Sequence, residues 1–199
     1  MKGSSTTDEY VDIYLEYANR YDYLSDLVNC RNRGIEDESE LRRYVRHALS
    51  GIQYCHESGI IHSDLKIENL LVHESEGSSR LLLCDFGLSQ REDPTIGGYV
   101  MHELSGSGGY IAPECKKGQV VTKAIDLWSF GICLYQMAVG YKPQAIDRRF
   151  VKSGVVPFDD KDWKSFDKSL KELVTWCLEV DPSKRPTASD ALEHPWLKE

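Results

Sequence analysis

The chain lacks several things. No apolar run approaches the length of a membrane-spanning helix; the longest, Leu127 to Gly140, is interrupted by Ser129 and Gln136. The start, Met1-Lys2-Gly3-Ser4, has no apolar core for a signal peptide, and Lys2 excludes a myristoylation start. Positive charge is not in excess. The net charge is −8, which argues against a broad nucleic-acid-binding face. None of the six cysteines is paired at C-x-x-C spacing, so they read as reduced thiols serving as small core residues. Without a secretion signal, reduced thiols imply an intracellular, cytoplasmic protein. No internal repeat and no linker divides residues 10–199.

What is present is a soluble, globular composition. The 199 residues are 41% hydrophobic and 28% charged, enough for one domain with a sizeable core. Residues 1–9 are polar and read as a poorly ordered tail. Tyr10 to Tyr17 alternates and is rich in aromatic and β-branched residues, predicting a strand. Asp22 reads as the cap of a short helix carrying Leu24, Leu27 and Val28 inward, with Gly34 beyond its end. Leu41, Tyr44, Val45, Ala48, Leu49, Ile52 and Cys55 form one stripe at helical spacing, predicting a helix from Glu38 to Ser58. Asp37 with Glu40 resembles a capping box, and Gly59 suits a left-handed stop.

Leu70–Val72 and Leu81–Cys84 read as short strands about a turn at 74–79. Residues 87–111 read as a long loop, and the all-round apolar stretch 123–139 as a central helix ended by Gly140. A loop-rich stretch follows to Trp163. Two more helices are expected, one around Leu170 to Leu178 and one capped by Thr187 and Asp190, ending at His194-Pro195. Helices dominate and strands are short, so the fold class is mainly α.

Chemistry concentrates at His62-Ser63-Asp64-Leu65-Lys66-Ile67-Glu68-Asn69, with Asp85-Phe86-Gly87 sixteen residues past Asn69. Asp64, Asn69 and Asp85 then lie on loops between buried elements. A carboxylate to take a hydroxyl proton and two oxygen ligands for a magnesium ion suit metal-assisted phosphoryl transfer. The first stretch resembles the H-R-D-L-x-x-x-N loop of eukaryotic protein kinases, and the second their D-F-G. Ala112-Pro113-Glu114 matches A-P-E, 29 residues after Asp85 measured to Glu114; Asp126 to Gly131 resembles the start of the family's central helix. Arg185 matches the arginine that pairs with the A-P-E glutamate.

The resemblance covers Val11 to Leu197 and implies a protein-kinase large carboxyl-terminal lobe, with ATP and Mg2+ as cofactors and a protein as substrate. It implies Asp64 as proton acceptor and Lys66 as charge stabiliser. It implies Asn69 and Asp85 as metal ligands, and Glu16 to Ala18 as the hinge whose backbone contacts adenine, with Leu71 beneath the ring. Lys66 and Gly106-Ser107-Gly108-Gly109-Tyr110 resemble Ser/Thr rather than Tyr kinases, and the Ser107 hydroxyl is placed to bond Asp64 and Lys66. Glu114 with Arg185 is expected to be a structural ion pair, and His62 a packing and hydrogen-bonding residue.

Two departures stand out. Ser63 replaces an arginine that in the family binds an activation-loop phosphate, and a hydroxyl cannot make that bidentate contact. Activation is therefore not expected to depend on a phosphate docking there. No G-x-G-x-x-G-x-V and no V-A-I-K occurs anywhere. The family's small lobe is thus expected to be absent from this chain, leaving little stand-alone catalysis and an apolar face for a protein partner to cover. The alternative is an inactive, kinase-like scaffolding subunit of a larger assembly.

Overall fold

The structure, a computed structural model, describes residues 3–6, 11–14, 16–20, 23–30, 34–143 and 153–198. The stripe read from the sequence becomes helix α2, Glu38–Glu57, and all seven of its apolar positions are buried. Asp37 caps it, accepting from the Ser39 N–H at 2.9 Å. Glu40 plays a different part from the expected reciprocal cap: its carboxylate meets Arg43 three residues on. Gly59, at φ +70°, turns the chain out of the helix as expected.

Helix α3, Ala124–Val139, lies at the centre, with fourteen of its sixteen residues buried. An all-round apolar surface demands cover on every side. That cover comes from α2, from α5 (Lys168–Cys177) and from the short 3₁₀ turn Pro182–Lys184. Gly131 marks the tightest approach to α5: a Cβ there would lie 2.9 Å from the Cβ of Cys177. Around this core lie α1 (Tyr23–Ser25, continuing as a wider turn over Asp26–Cys30), α4 (Asp160–Trp163), α6 (Ala188–Leu192) and α7 (Pro195–Lys198). Leu24 and Val28 of the α1 region are buried as expected, whereas Asp22 lies outside the described residues. The capping box of Thr187 and Asp190 forms with both reciprocal bonds. The fold is the expected one, mainly helical with a few short strands.

The strands pair two by two. β1 (Gly3–Thr6) runs antiparallel to β2 (Val11–Tyr14). Part of the polar tail is therefore a strand, because a backbone ladder needs no apolar side chain on the partner. β3 (Ile60–Ile61) pairs with β6 (Gln90–Arg91), and β7 (Tyr99–Val100) with β8 (Val120–Val121). β4 (Leu70–Ser75) and β5 (Ser78–Leu83) form a hairpin that is longer than expected. Its turn shrinks to Glu76 and Gly77, both at positive φ, the geometry of a two-residue hairpin loop. Among the described residues no helix is long and apolar enough to cross a membrane. The five described cysteine thiols are free, and Cys55, Cys133 and Cys177 are buried.

Candidate active site

The β3–β6 pair brings the chain into the site and out of it side by side. Between these strands the loop 62–69 is suspended from α3 by one side chain. Asp126, 1% exposed, accepts the backbone N–H groups of His62 (2.8 Å) and Ser63 (2.9 Å), one on each carboxylate oxygen. His56, at the end of α2, adds a bond to the Oδ2 atom at 2.8 Å. A buried carboxylate with three partners fixes the loop backbone far better than a loop could fix itself. His62 uses both ring nitrogens internally. Nε2 donates to the Cys84 carbonyl at 3.0 Å and Nδ1 accepts from the Asp64 N–H at 3.4 Å. That matches its expected packing and hydrogen-bonding part.

Asp64 is 6% exposed and points its two oxygens to different partners. Oδ2 accepts from Lys66 Nζ at 2.9 Å, and Oδ1 from the backbone N–H of Ser107 at 2.8 Å. Lys66 Nζ also donates to Ser107 Oγ at 3.0 Å. The two expected catalytic side chains and Ser107 thus close into one network. Ser107 adds its backbone N–H to Asp64 beside the hydroxyl that was expected there. Burial would raise the Asp64 carboxyl, but the hydrogen bonds from Lys66 and Ser107 outweigh it and hold the carboxyl below the usual range. Its carboxylate partner in turn raises the Lys66 ammonium.

Asn69 sits buried at the end of a 3₁₀ turn, Ile67–Asn69, with its Nδ2 donating to the Asp64 carbonyl at 2.9 Å. That bond orients the amide and leaves its oxygen as the group open to a cation. The Asn69 carbonyl accepts from the Cys84 N–H at 3.1 Å, which seats Asp85 next in line. Asp85 is exposed and adopts φ +61°. One of its oxygens accepts from the Gly87 N–H at 3.2 Å. The donor set is therefore one amide oxygen and one exposed carboxylate. Among the described residues no group of three or more His, Cys, Asp or Glu side chains assembles to hold a metal. Two oxygen donors, one buried and one exposed, fit the chemistry of magnesium, which takes one or two protein ligands and fills its shell with phosphate oxygens and water. Phe86, 44% exposed, packs its ring 4.8 Å from that of His62, and Leu88 is 39% exposed beside it.

The segment 16–20 is zipped along β4. The Tyr17 carbonyl accepts from His73 Nδ1 at 2.7 Å, and the Arg20 N–H donates to the Val72 carbonyl at 3.0 Å. Asn19 makes a two-way bond with the Glu74 backbone, 2.7 Å each way. Glu16 pairs with Arg80, and Ala18 is buried. Leu71 alternates with the buried Leu70 and Val72, so it lies half-exposed on the opposite face of the hairpin. Glu16 and Ala18 thus lie on the segment that runs along the β4–β5 hairpin, and Leu71 on a half-exposed face of the hairpin itself.

At the far side of the site Arg185, its side chain fully buried, grips Glu114 with two bonds of 2.5 and 2.8 Å. It also reaches the carbonyls of Ala124, Glu179 and Val180 and lies over the Trp128 ring. This is the expected structural pair. Asp126 and His56, which hold the loop, carry no expected role from the sequence. A carboxylate near the start of an otherwise apolar helix was the available signal for Asp126. Nothing in the sequence marks His56.

The protein kinase domain family model matches residues 1–197, reaching further toward the start than the motifs did. Calcium/calmodulin-dependent protein kinase cmkA of Emericella nidulans is 37% identical over an alignment of 166 residues that covers 81% of this chain and 40% of that protein. A calcium and calcium/calmodulin-dependent serine/threonine-protein kinase of Lotus japonicus is 37% identical, covering 81% of this chain and 32% of its own. Calcium/calmodulin-dependent protein kinase type 1 of Caenorhabditis elegans is 34% identical, with 83% and 48% covered. The chain spans half or less of the length of each of these three relatives. The ordered motifs, the helical lobe that carries them and a family match along nearly all of its length lead to one conclusion: this chain belongs to the eukaryotic Ser/Thr protein kinase family.

Proposed function

We propose that this chain forms the catalytic lobe of a Ser/Thr protein kinase, transferring the γ-phosphoryl group of ATP to a hydroxyl of a protein substrate. The observation that carries the reading is the Asp64–Lys66–Ser107 network. Asp64, held as a carboxylate by its donors, orients the substrate hydroxyl and receives its proton as the new P–O bond forms. Lys66, tied to Asp64 and Ser107, is positioned to offset charge on the transferred group. Asn69 and Asp85 are the residues that would hold Mg2+, which when bound supplies positive charge to the phosphate oxygens. The backbone of Glu16 to Ala18 contacts adenine and Leu71 supports its ring. The Ser63 hydroxyl cannot make the two-pronged charged contact that an arginine makes with a phosphate, so activity is not gated by a phosphate docking there. The protein acts inside the cell, in the cytoplasm, on protein rather than on nucleic acid or membrane.

The test is transfer of labelled phosphate from ATP to a Ser/Thr peptide, with the full chain alone and with candidate partner proteins. Asp64→Asn is expected to reduce transfer by about 10²–10⁴-fold. Absence of transfer in every context, or transfer indifferent to Asp64→Asn, would refute the reading. The exposed Phe86 and Leu88 beside Asp85 favour a protein partner covering this face, and with it a second reading, an inactive scaffolding subunit. Affinity capture followed by sizing separates the two: a catalytically active monomer rules the second out.

A further inference from the structure

Ser63 stands between His62 and Asp64 with φ +67°, in the left-handed region that a side chain occupies only at a cost. Three bonds hold it. Its N–H donates to Asp126 Oδ1, its Oγ–H donates to the Ile61 carbonyl at 3.4 Å, and its Oγ accepts from the Tyr99 hydroxyl at 3.3 Å. The hydroxyl of Ser63 is thus a link in a directed chain from Tyr99 through Ser63 to Ile61.

Tyr99 is itself firmly placed. It opposes Val121 in the β7–β8 pair, and Val100 opposes Val120. Before it comes Gly98, where a Cβ would stand 2.1 Å from the Val121 carbonyl oxygen, so only glycine allows the two strands this approach. The Asp93 N–H donates to the Gly98 carbonyl at 2.7 Å, closing the turn that leads into β7. On the other side the Met101 N–H donates to Gln119 at 2.9 Å, and Gly118 donates to Met101 at 2.7 Å. The Tyr99 ring packs half-buried against the core, and burial pushes its phenol above the usual range, which keeps the hydroxyl a donor.

We propose that Tyr99 is a positioning residue: its hydroxyl, through Ser63 Oγ, ties strand β7 and the long segment 87–111 that carries it to the loop 62–69 beside Asp64 without any phosphate. The family's arginine at this position collects a charged group; here a neutral hydroxyl pair replaces the charged one. The functional meaning of the tie rests on the kinase reading above, whereas the tie itself does not.

Amide hydrogen exchange in the full chain tests it, comparing wild type, Tyr99→Phe, Ser63→Ala and the double variant. Tyr99→Phe keeps the ring and removes one hydroxyl. Exchange at the Ser63 and Asp64 amides is expected to rise about two- to tenfold in Tyr99→Phe, as one neutral hydrogen bond is worth. The double variant should exchange no faster at these amides than Ser63→Ala, and amides of α3 should be unchanged. Wild-type exchange in Tyr99→Phe would overturn the proposal. So would an equal Tyr99→Phe effect in the Ser63→Ala background, or a uniform rise across α3. Where transfer is measurable, Tyr99→Phe should lower kcat and leave the peptide KM alone. Should no variant transfer phosphate, the kinase reading fails while the exchange cycle still decides the tie.

Discussion

Replacing Asp126 with asparagine probes how the loop 62–69 is held. The carboxylate accepts three bonds, from the N–H groups of His62 and Ser63 and from His56 Nε2, in a site 1% exposed. An amide of the same shape keeps one acceptor and turns the other into a donor. If the amide oxygen faces His62 and His56, its NH2 faces the Ser63 N–H, and two donors are forced together. If it is flipped, the Ser63 bond survives, the His62 N–H faces the NH2 group, and His56 Nε2 keeps a bond only by changing tautomer to accept one. Either way at least one buried donor loses its partner, at about 1–3 kcal/mol, and the remaining bonds lose charge assistance. The expected loss is about 2–4 kcal/mol, a large part of the roughly 5–15 kcal/mol available to a domain. Urea unfolding of the full chain measures it, with an unchanged slope showing that the same folded state is being compared. Amide exchange at His62 and Ser63 should rise in parallel. A loss under about 0.5 kcal/mol with unchanged exchange would show that the loop is held by something else, and the reasoning would fail.

Further outcomes follow from other contacts. Arg185→Ala leaves Glu114 half-buried without its partner and frees three backbone carbonyls; it should cost about 3–5 kcal/mol by urea unfolding. Arg185→Lys, which cannot make the two-pronged grip, should still lose about 2 kcal/mol. The Asp64 carboxyl is held below its unfolded value, so its network stabilises the fold at neutral pH, and that contribution disappears as pH falls through the depressed value. The stability gap between wild type and Asp64→Asn should therefore narrow in urea titrations carried from pH 7 toward pH 3; a constant gap would contradict the assignment. Gly98→Ala places a methyl group against the Val121 carbonyl and should loosen β7 at about 1–3 kcal/mol, seen as faster proteolysis within residues 93–101.

Much of the architecture was legible because it rests on periodicity and end signals. The stripe from Leu41 to Cys55 could bury itself in one way, and α2 follows it within a residue. Residues 124–139 are apolar all round, which a domain of this size can satisfy at its centre. The stretch 74–79 misled because polarity reports exposure, not backbone shape: Glu74, Ser75 and Ser78 are strand residues whose side chains face water. The polar residues 3–6 misled for the same reason, since their pairing to β2 is a backbone matter.

The sequence by itself determined the chemical inventory: Asp64, Lys66, Asn69 and Asp85 at spacings that place them on adjoining loops, the Glu114–Arg185 pair, and the loss of an arginine at Ser63. Asp64, Lys66 and Asn69 are local facts, carried by residue types within six positions, whereas Asp85 and the Glu114–Arg185 pair, seventy-one positions apart, were legible through the family resemblance. The tertiary structure decided how they are held. Asp126 acts across more than sixty residues on His62 and Ser63, and Tyr99 across thirty-six on Ser63. A hydrogen bond between such distant positions depends on where the helices and strands bring the chain, and no pattern within either segment specifies its partner.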